Sequence, residues 1–198
     1  LTDDETKNLE LIQIESSSSE GFPYAANNSG EASQNITIEN CYFGASDLCG
    51  EPSVAIGTHS QVVGTQKCNH ITIRNNTFKN TATRGILCTT REPVVIEGNT
   101  FLNMSMATIF LSNDSGDWYE SGPIRDMTIK DNTFYIKTIG DTWWDYKSAI
   151  YIHPVTYGNG LPSWENPIHK NITIEGNTFH MSDDTVVKAE SVENLVFR

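Results

Sequence analysis

Five segments of the chain share one pattern of apolar and polar positions. Each alternates apolar residues with polar ones, mostly Thr, and then runs through a turn to Phe: residues 36–43, 71–78, 94–101, 127–134 and 172–179. Alternation with period two is typical of a strand that has one buried face. The apolar residues of all five copies are therefore expected to point into one shared core. Residues 8–11 and 194–197 resemble partial copies at the two ends.

The spacing of the copies predicts a solenoid. Their Phe residues are 35, 23, 33 and 45 residues apart, and the shortest spacing is about one coil of a β-solenoid. A second apolar strand is predicted after each turn, at 53–56, 85–87, 108–111, 149–152 and 185–187. Because short strands recur without any helical period, we predict an all-β fold, a right-handed parallel β-helix. A β-sandwich is the alternative, and the strict self-similarity of the copies argues against it.

One polar position recurs inside the repeat. Four copies place Asn two residues before Phe, where Asn can adopt left-handed geometry and bond its equivalent one coil away: Asn76, Asn99, Asn132 and Asn177. Cys41 takes this position in the first copy, and we expect a buried, unreactive thiol there. The four Cys residues lack metal-ligand spacing, so no zinc site is predicted. A Cys41–Cys49 disulfide remains possible, but buried free thiols are favoured.

The repeat divides the chain unevenly. Residues 1–30 are predicted to be an N-terminal surface segment or linker, and residues 31–198 a parallel β-helix with inserted loops at 114–125 and 137–168. A solenoid needs protected ends, and no amphipathic cap follows the last copy. We therefore expect this chain to be part of a longer β-helix. Its partner would be the rest of the coil stack, on the same or a separate polypeptide.

Charge narrows the classes of partner. The chain carries 25 acidic residues against 13 Lys and Arg, for a net charge of −12. Nucleic acids and anionic lipid surfaces need clustered positive charge, so neither is a predicted partner. No apolar run approaches the roughly 18–20 residues of a membrane-spanning helix, and membrane insertion is not expected.

The acidic excess coincides with the aromatic residues in the predicted loops. All four Trp lie between 118 and 164, among several Tyr, Asp and Glu residues. Aromatic faces stack on sugars, and glycoside cleavage uses two carboxyl groups. The alternative is that these aromatics only pack a loop onto the solenoid. We predict catalytic roles for three carboxylates: Asp114, Glu120 and Asp145. Loop residues predicted to bind substrate are Asp117, Trp118, Tyr119, Trp143 and Trp144.

Three further substrate contacts are predicted from stacking. Residues that follow the second strand of neighbouring coils should lie side by side on one face, which brings together His59, Asn113 and His153. Asp114 directly follows Asn113 and opens the loop that ends at Gly122. A structural role is the alternative for each histidine. No metal or cofactor is predicted.

The segment 113–129 adds a family resemblance. Its Asp-x-x-x-Trp-Tyr-Glu-Ser-Gly run resembles the α-1,3-galactosidases of glycoside hydrolase family 110, as do the flanking segments 84–87, 93–96, 150–154 and 168–172. The resemblance implies an inverting exo-enzyme that removes terminal α-linked galactose from host-type glycans without a metal. By the same motif, Asp114 corresponds to a catalytic carboxylate, and Trp118 and Glu120 shape the galactose subsite.

Other functions remain open from the sequence. The architecture also resembles the lacto-N-biosidases of glycoside hydrolase family 136, which release lacto-N-biose and can occur as more than one polypeptide. A non-catalytic carbohydrate-binding β-helix is the alternative of another class. A polysaccharide lyase is disfavoured because an acidic insertion would repel uronic acids. The favoured hypothesis is a secreted glycosidase for galactose-containing units, located outside a gut-type bacterium or on its surface.

Overall fold

A computed structural model describes residues 10–15, 33–44, 54–59, 69–81, 83–88, 90, 93–113, 123–136, 148–155, 166–182 and 185–198. These residues form seventeen β-strands and no helix. Sheet A contains β1 (Glu10–Glu15), β4 (Val54–His59), β7 (Arg84–Leu87), β10 (Ile109–Ser112), β13 (Ser148–His153) and β16 (Thr185–Ala189). Sheet B contains β2 (Gln34–Glu39), β5 (Asn69–Arg74), β8 (Val94–Glu97), β11 (Met127–Lys130), β14 (His169–Glu175) and β17 (Val192–Phe197). Sheet C contains β3 (Tyr42–Gly44), β6 (Thr77–Lys79), β9 (Thr100–Leu102), β12 (Thr133–Ile136) and β15 (Thr178–Met181).

Every strand pairs in parallel with its equivalent in the next coil. In sheet B, for example, Ile71 aligns with Val94, and Val94 aligns with Met127. The chain passes from sheet A to B to C and back to A, so each coil adds one strand to each sheet. Parallel strands joined in this way make a parallel β-helix, and the predicted fold is confirmed. The predicted second strands are the strands of sheet A.

The core is built from columns of like residues. In the middle coils the inward-facing Ile, Val and Met residues of sheets A and B are almost completely buried, as the alternation predicted, and those of the outermost coils are partly buried. In sheet C the Phe residues stack face to face with centroid distances of 4.6–4.9 Å: Phe43, Phe78, Phe101, Phe134 and Phe179. Repetition of one side chain at one position lets each coil pack against an identical neighbour, which aligns the strands of successive coils.

The asparagine ladder is confirmed, with one correction. Asn99 donates from Nδ2 to Asn132 Oδ1 over 3.0 Å, and Asn132 repeats the bond to Asn177 over the same distance. The left-handed residue, however, is the one before each ladder asparagine, including Gly98 at φ +62° and Asp131 at φ +54°. The ladder side chain must point into the core, so the turn is made by its exposed predecessor.

The first coil departs from the ladder at Cys41. The backbone N–H of Cys41 donates to Asn76 Oδ1 over 2.9 Å, which continues the ladder through the main chain. Its thiol is free but exposed, with Sγ 3.2 Å from the carbonyl oxygen of Glu39. The expected buried thiol at this position is therefore wrong, whereas Cys88 is both free and buried. Cys49 and Cys68 lie outside the described residues.

The division of the chain differs in detail from the expected one. Strand β1 lies within residues 1–30 and pairs with β4, so the solenoid already includes Glu10–Glu15. Strand β13 divides the predicted insertion 137–168, and Ile124, inside the predicted insertion 114–125, is a buried core residue. Among the described residues, no helix is long and apolar enough to cross a membrane.

A column of alternating charge follows the end of sheet B. One residue per coil occupies it, in the order Glu39, Arg74, Glu97, Lys130, Glu175 and Arg198. Arg74 lies 2.6 Å from Glu39, and Lys130 lies 2.9 Å from Glu97. Each charge therefore has opposite charges as its neighbours, an arrangement that favours this register of coils.

Candidate functional site

The outer face of sheet A differs from an ordinary solvated strand face. Outward residues of neighbouring coils align as Leu87, Phe110, Tyr151 and Lys188. A second hydrophobic cluster, outside the main core, lies on this face and includes Leu87, Phe110 and Tyr151. Guanidinium and ammonium groups cover the aromatic rings. The Arg84 Cζ atom is 4.4 Å from the Phe110 centroid, and the Lys188 Nζ atom is 4.6 Å from the Tyr151 centroid. These cation–π contacts occupy ring faces that could otherwise stack on a sugar.

A polar cluster lies at the carboxyl ends of β13 and β16. The Tyr151 hydroxyl lies 3.0 Å from Nδ1 of His153 and donates to Oε2 of Glu190 over 3.2 Å. His153 Nδ1 is 3.5 Å from Glu190 Oε2, and Lys188 Nζ is 3.5 Å from Glu190 Oε1. The His153 ring also stacks near Phe110, with centroids 6.1 Å apart. This polar cluster consists of Tyr151, His153, Lys188 and Glu190. It thus brings together a phenol hydroxyl, an imidazole, an amine and a carboxyl group.

Burial controls the protonation of the tyrosine. It raises the pKa of Tyr151 above its ordinary value, and a hydrogen bond with Lys188 offsets part of the rise. A phenol with a raised pKa keeps its proton at neutral pH, so Tyr151 stays a hydrogen-bond donor. The ring is 4% exposed, whereas the side chains of His153 and Glu190 are 30% and 41% exposed. The histidine and the glutamate are thus the parts of the cluster that a ligand can reach.

A buried histidine fixes the backbone below the cluster. His169 Nε2 lies 3.3 Å from the carbonyl oxygen of His153, and its Nδ1 accepts from the N–H of Ile124 over 3.3 Å. A carbonyl can only accept, so the proton is on Nε2 and the ring is neutral. Burial lowers the pKa of His169 to about 4. The ring connects the end of β13 to the chain just before β11.

Asn113 and Val155, which end two described segments at the same edge of sheet A, are joined by a pair of hydrogen bonds that we call the Asn113–Val155 clamp. Asn113 Nδ2 donates to the carbonyl oxygen of Val155, and Asn113 Oδ1 accepts from the N–H of Val155, both over 2.8 Å. Residues 114–122 and 156–165, which directly follow these two segments in sequence, lie outside the described residues. Asn113 therefore joins the starting points of two insertions, and its predicted contact with substrate stays a prediction.

The structure brings together some of the predicted site residues. Ser112 aligns with His153, so Asn113 and His153 lie at the ends of adjacent strands, as expected. The register through Gly57, Leu87 and Phe110 puts His59 at the same edge, at the end of β4. The remaining predicted residues lie outside the described residues: Asp114, Asp117, Trp118, Tyr119, Glu120, Trp143, Trp144 and Asp145. Asp114 directly follows Asn113 of the Asn113–Val155 clamp in the sequence.

Sequence reasoning missed Lys188 and Glu190 and left Tyr151 without a role. Glu190 is the third residue after the predicted apolar segment 185–187, and only the pairing of Ile152 with Ala189 shows that it occupies the column of His153. Within the described part of the chain, no three His, Cys, Asp or Glu side chains are grouped closely enough to hold a metal ion.

Comparisons with known proteins agree with the galactosidase resemblance. No protein-family model matches the chain. An α-1,3-galactosidase A of Streptomyces avermitilis is 43% identical over 127 residues, which are 64% of this chain and 19% of that protein. The chain thus spans about a fifth of the length of that relative.

A second kind of relative is named as a binding protein. The plasmin and fibronectin-binding protein A of Streptococcus pneumoniae is 49% identical over 92 residues, 46% of this chain and 13% of that protein. A solved structure of the S. pneumoniae surface protein and adhesin PfbA matches all of this chain and 57% of its own, at 25% identity and a TM-score of 0.46.

The resemblance predicted from the Asp-x-x-x-Trp-Tyr-Glu-Ser-Gly segment, to the α-1,3-galactosidases of glycoside hydrolase family 110, is confirmed by relatives that align with 64% of the chain.

Proposed function

We propose that the chain is part of a glycoside hydrolase that removes terminal α-linked galactose from host-type glycans. The 43% identity to an α-1,3-galactosidase over 127 residues carries this proposal. The geometry supports it, because Asn113, which directly precedes the predicted catalytic loop, lies at the same edge of sheet A as the polar cluster of Tyr151, His153 and Glu190. The protein would act outside a bacterial cell or on its surface, where such glycans are found.

In this proposal Asp114 is one of two catalytic carboxylates. The Asn113–Val155 clamp anchors the backbone immediately before Asp114, at the edge that also carries His153. Its partner would be Glu120 or Asp145, with Asp117, Trp118, Tyr119, Trp143 and Trp144 forming the sugar subsite. One carboxyl group protonates the leaving oxygen while the other activates water or attacks the sugar.

Identification of the released sugar tests the proposal. The protein is incubated with an α-1,3-galactosyl oligosaccharide and, separately, with lacto-N-tetraose, and products are separated by chromatography. Free galactose from the first substrate is the expected result. Lacto-N-biose from the second would instead support the lacto-N-biosidase alternative and contradict the galactosidase proposal.

A non-catalytic binding β-helix is the second candidate function. It is favoured by the 49% identity to a protein named for binding plasmin and fibronectin, both extracellular proteins. In this case the insertions would recognise a surface ligand and the carboxylates would only bind hydroxyl groups. Saturable glycan binding without any released sugar would support this function over hydrolysis.

The rest of a coil stack is the proposed partner in either case. Leu195 and Phe197 continue inward-facing columns of sheet B, yet they are 39% and 58% exposed. Together with Val187 and Ala189 they line an apolar groove beside β16 and β17. A further β-helix coil, with apolar residues in the same columns, would cover it. A polypeptide supplying that coil should raise the Tm, and an unchanged Tm would contradict this partner.

A further inference from the structure

Three strands at one end of the stack lie at the edges of their sheets. β15, β16 and β17 are the outermost strands of sheets C, A and B, and we call them together the β15–β17 edge. In the middle coils, by contrast, every strand has a parallel neighbour on both sides. What the middle coils supply to one another therefore shows which groups the β15–β17 edge is built to receive.

The asparagine ladder reaches this edge with a donor still to be matched. The backbone N–H of Asn99 donates to Asn132 Oδ1 over 2.9 Å, and that of Asn132 donates to Asn177 Oδ1 over the same distance. Asn177 Nδ2 donates to the carbonyl oxygen of Ile129 over 2.9 Å. Among the described residues, none offers an oxygen to the backbone N–H of Asn177. The ladder pattern identifies the matching acceptor as the side-chain oxygen of one more asparagine.

The apolar columns are also covered on one side only. Phe134 stacks between Phe101 and Phe179 at 4.9 and 4.6 Å and is completely buried, whereas Phe179 has one stacked neighbour among the described rings and is only partly buried. Leu195 and Phe197 are 39% and 58% exposed, although the residues before them in their columns are completely buried. One more aromatic ring and two more apolar side chains would complete these three columns.

The column of alternating charge indicates the sign of the missing neighbour. Lys130 lies between Glu97 and Glu175, so this cation has a carboxylate in each adjacent coil. Arg198 contacts Glu175 over 2.7 Å, and its side chain is 73% exposed. The alternation therefore calls for a second carboxylate on the open side of Arg198.

A second copy of this chain fits the β15–β17 edge poorly. Its first coil would place Cys41, which has no side-chain oxygen, against Asn177. It would also place Glu15 against Glu190, because both residues belong to one column of sheet A. The edge is better matched by a coil of the type found in the middle of the stack.

We propose that the β15–β17 edge binds a β-helix coil that brings three groups into register with it: an asparagine side-chain oxygen against Asn177, an aromatic ring against Phe179 and a carboxylate against Arg198. The occupant rests on the coil-stack partner proposed above, whereas its three groups follow from the edge itself. The apolar columns provide most of the contact area, and the amide and the carboxylate select the register.

The chain contains a coil with which this proposal can be tested. Residues 75–97 follow Arg74, which occupies the same charge column as Arg198. A copy of this segment fused after Arg198 therefore presents the three required groups as copies of Asn76, Phe78 and Glu97. The Tm should rise by at least about 5 °C, and the backbone amide of Asn177 should exchange with D₂O at least about ten-fold more slowly. The amide of Asn132, which already has its acceptor, should change much less.

Substitutions in the fused copy separate the polar groups from the apolar cover. Asn76→Ala in the copy should keep part of the Tm gain, because the apolar columns still pack, but Asn177 should exchange as fast as in the unfused chain. Glu97→Lys in the copy should reduce the Tm gain by about 2–4 °C at low salt, and this difference should shrink at 1 M NaCl. Lys79→Gln in the copy, which changes an exposed residue of sheet C, is the matched control.

Equal Tm gains and equal Asn177 protection in all fused proteins would overturn the inference, since apolar cover alone would then suffice, but would leave the coil-stack partner standing. A fused coil that does not change the Tm would contradict that partner as well. Concentration-dependent sedimentation of the unfused chain that the fused coil abolishes would show that a second copy occupies the edge instead. Galactose release is not measured here, so a failure of the proposed hydrolysis leaves these outcomes unaffected.

Discussion

Two individual residues have protonation states that the packing of the coils decides: the buried His169 in β14 of sheet B and Tyr151 on the outer face of sheet A. His169 is held neutral because burial lowers its pKa to about 4 and its Nε2 must donate to the His153 carbonyl. Tyr151 keeps its proton because burial raises its pKa. A neutral histidine below the site and a protonated phenol within it provide the cluster with defined donors and acceptors.

The His169 pKa predicts acid sensitivity. The unfolded histidine titrates near its ordinary value of 6.5 and the folded one near 4, so the unfolded state binds more protons between these values. The stability that the neutral ring contributes is therefore complete above pH 6.5 and is lost as the pH falls toward 4. Urea unfolding at pH 7.5 and pH 5 should show a loss of about 2 kcal/mol from this group.

The free energy of unfolding of His169→Gln should fall less between pH 7.5 and pH 5 than that of the wild type, although the variant is less stable at both pH values. His180→Gln, which changes an exposed histidine in sheet C, should keep the wild-type pH dependence. Equal pH dependence in wild type and His169→Gln would show that another group causes the acid sensitivity.

Asp114 is the residue on which the proposed hydrolysis depends. Asp114→Asn keeps the shape of the side chain but removes its charge and its ability to transfer a proton, so kcat for galactose release should fall about 10²–10⁴-fold. Asp131→Asn is a matched control, because Asp131 is exposed on a left-handed turn that Asn adopts readily. Wild-type turnover in Asp114→Asn would exclude a catalytic role for this carboxylate.

At the scale of elements, the turn between sheets B and C shows how one polar position supports the stack. The side-chain oxygens of Asn99, Asn132 and Asn177 each accept both a backbone and a side-chain N–H of the neighbouring asparagine, as Asn132 Oδ1 does from Asn99 over 2.9 and 3.0 Å. Each ladder nitrogen also donates to a core-strand carbonyl, as Asn132 Nδ2 does to Ile96 over 2.9 Å. Because these groups are buried, every one needs its partner.

Asn132→Asp should therefore be strongly destabilising. The substitution replaces a buried donor by an oxygen that faces two acceptors, Ile96 O and Asn177 Oδ1. A loss of about 3 kcal/mol in the free energy of unfolding is expected, measured by urea titration. Asn194→Asp changes an exposed asparagine on a left-handed turn, and it should lower the free energy of unfolding only slightly. Equal losses in the two variants would contradict a role for burial.

At the scale of the whole molecule, the charge column and the apolar columns impose the same register on all coils. The column that starts at Glu39 changes sign at each coil. The inward columns place apolar residues on apolar residues in sheets A, B and C. A slip of one residue would expose the core face of a strand and place each charge out of line, so both patterns disfavour misaligned coils.

Glu97→Lys tests the charge column. It would place three positive charges in adjacent coils, between Arg74 and Lys130, and should lower the Tm by about 2–4 °C at low salt. Salt screens exposed charges, so the difference should shrink at 1 M NaCl. Glu97→Gln, which removes the attraction without adding repulsion, should show a smaller change. A Tm loss that does not depend on salt would point to packing as its cause.

Much of the fold could be predicted because each coil repeats the previous one. Period-two alternation identified the inward residues, and the recurrent Asn two residues before Phe identified the ladder, whereas the stack of Phe rings is a finding of the structure. The same repetition could not show which turn residue adopts the left-handed conformation, since Asn75 and Asn76 are both suited to it. Burial of the second asparagine in the ladder assigns the turn to the first.

The sequence by itself thus determined the parallel coil and its core columns, since like residues pair with like in a solenoid. The tertiary structure alone decided that Glu190 meets Tyr151 and that the outer face of sheet A holds buried rings. Those contacts join residues of different coils, and the sequence separation between equivalent Phe residues of successive coils varies from 23 to 45 residues. Counting along the sequence cannot align such coils, whereas backbone pairing between parallel strands does.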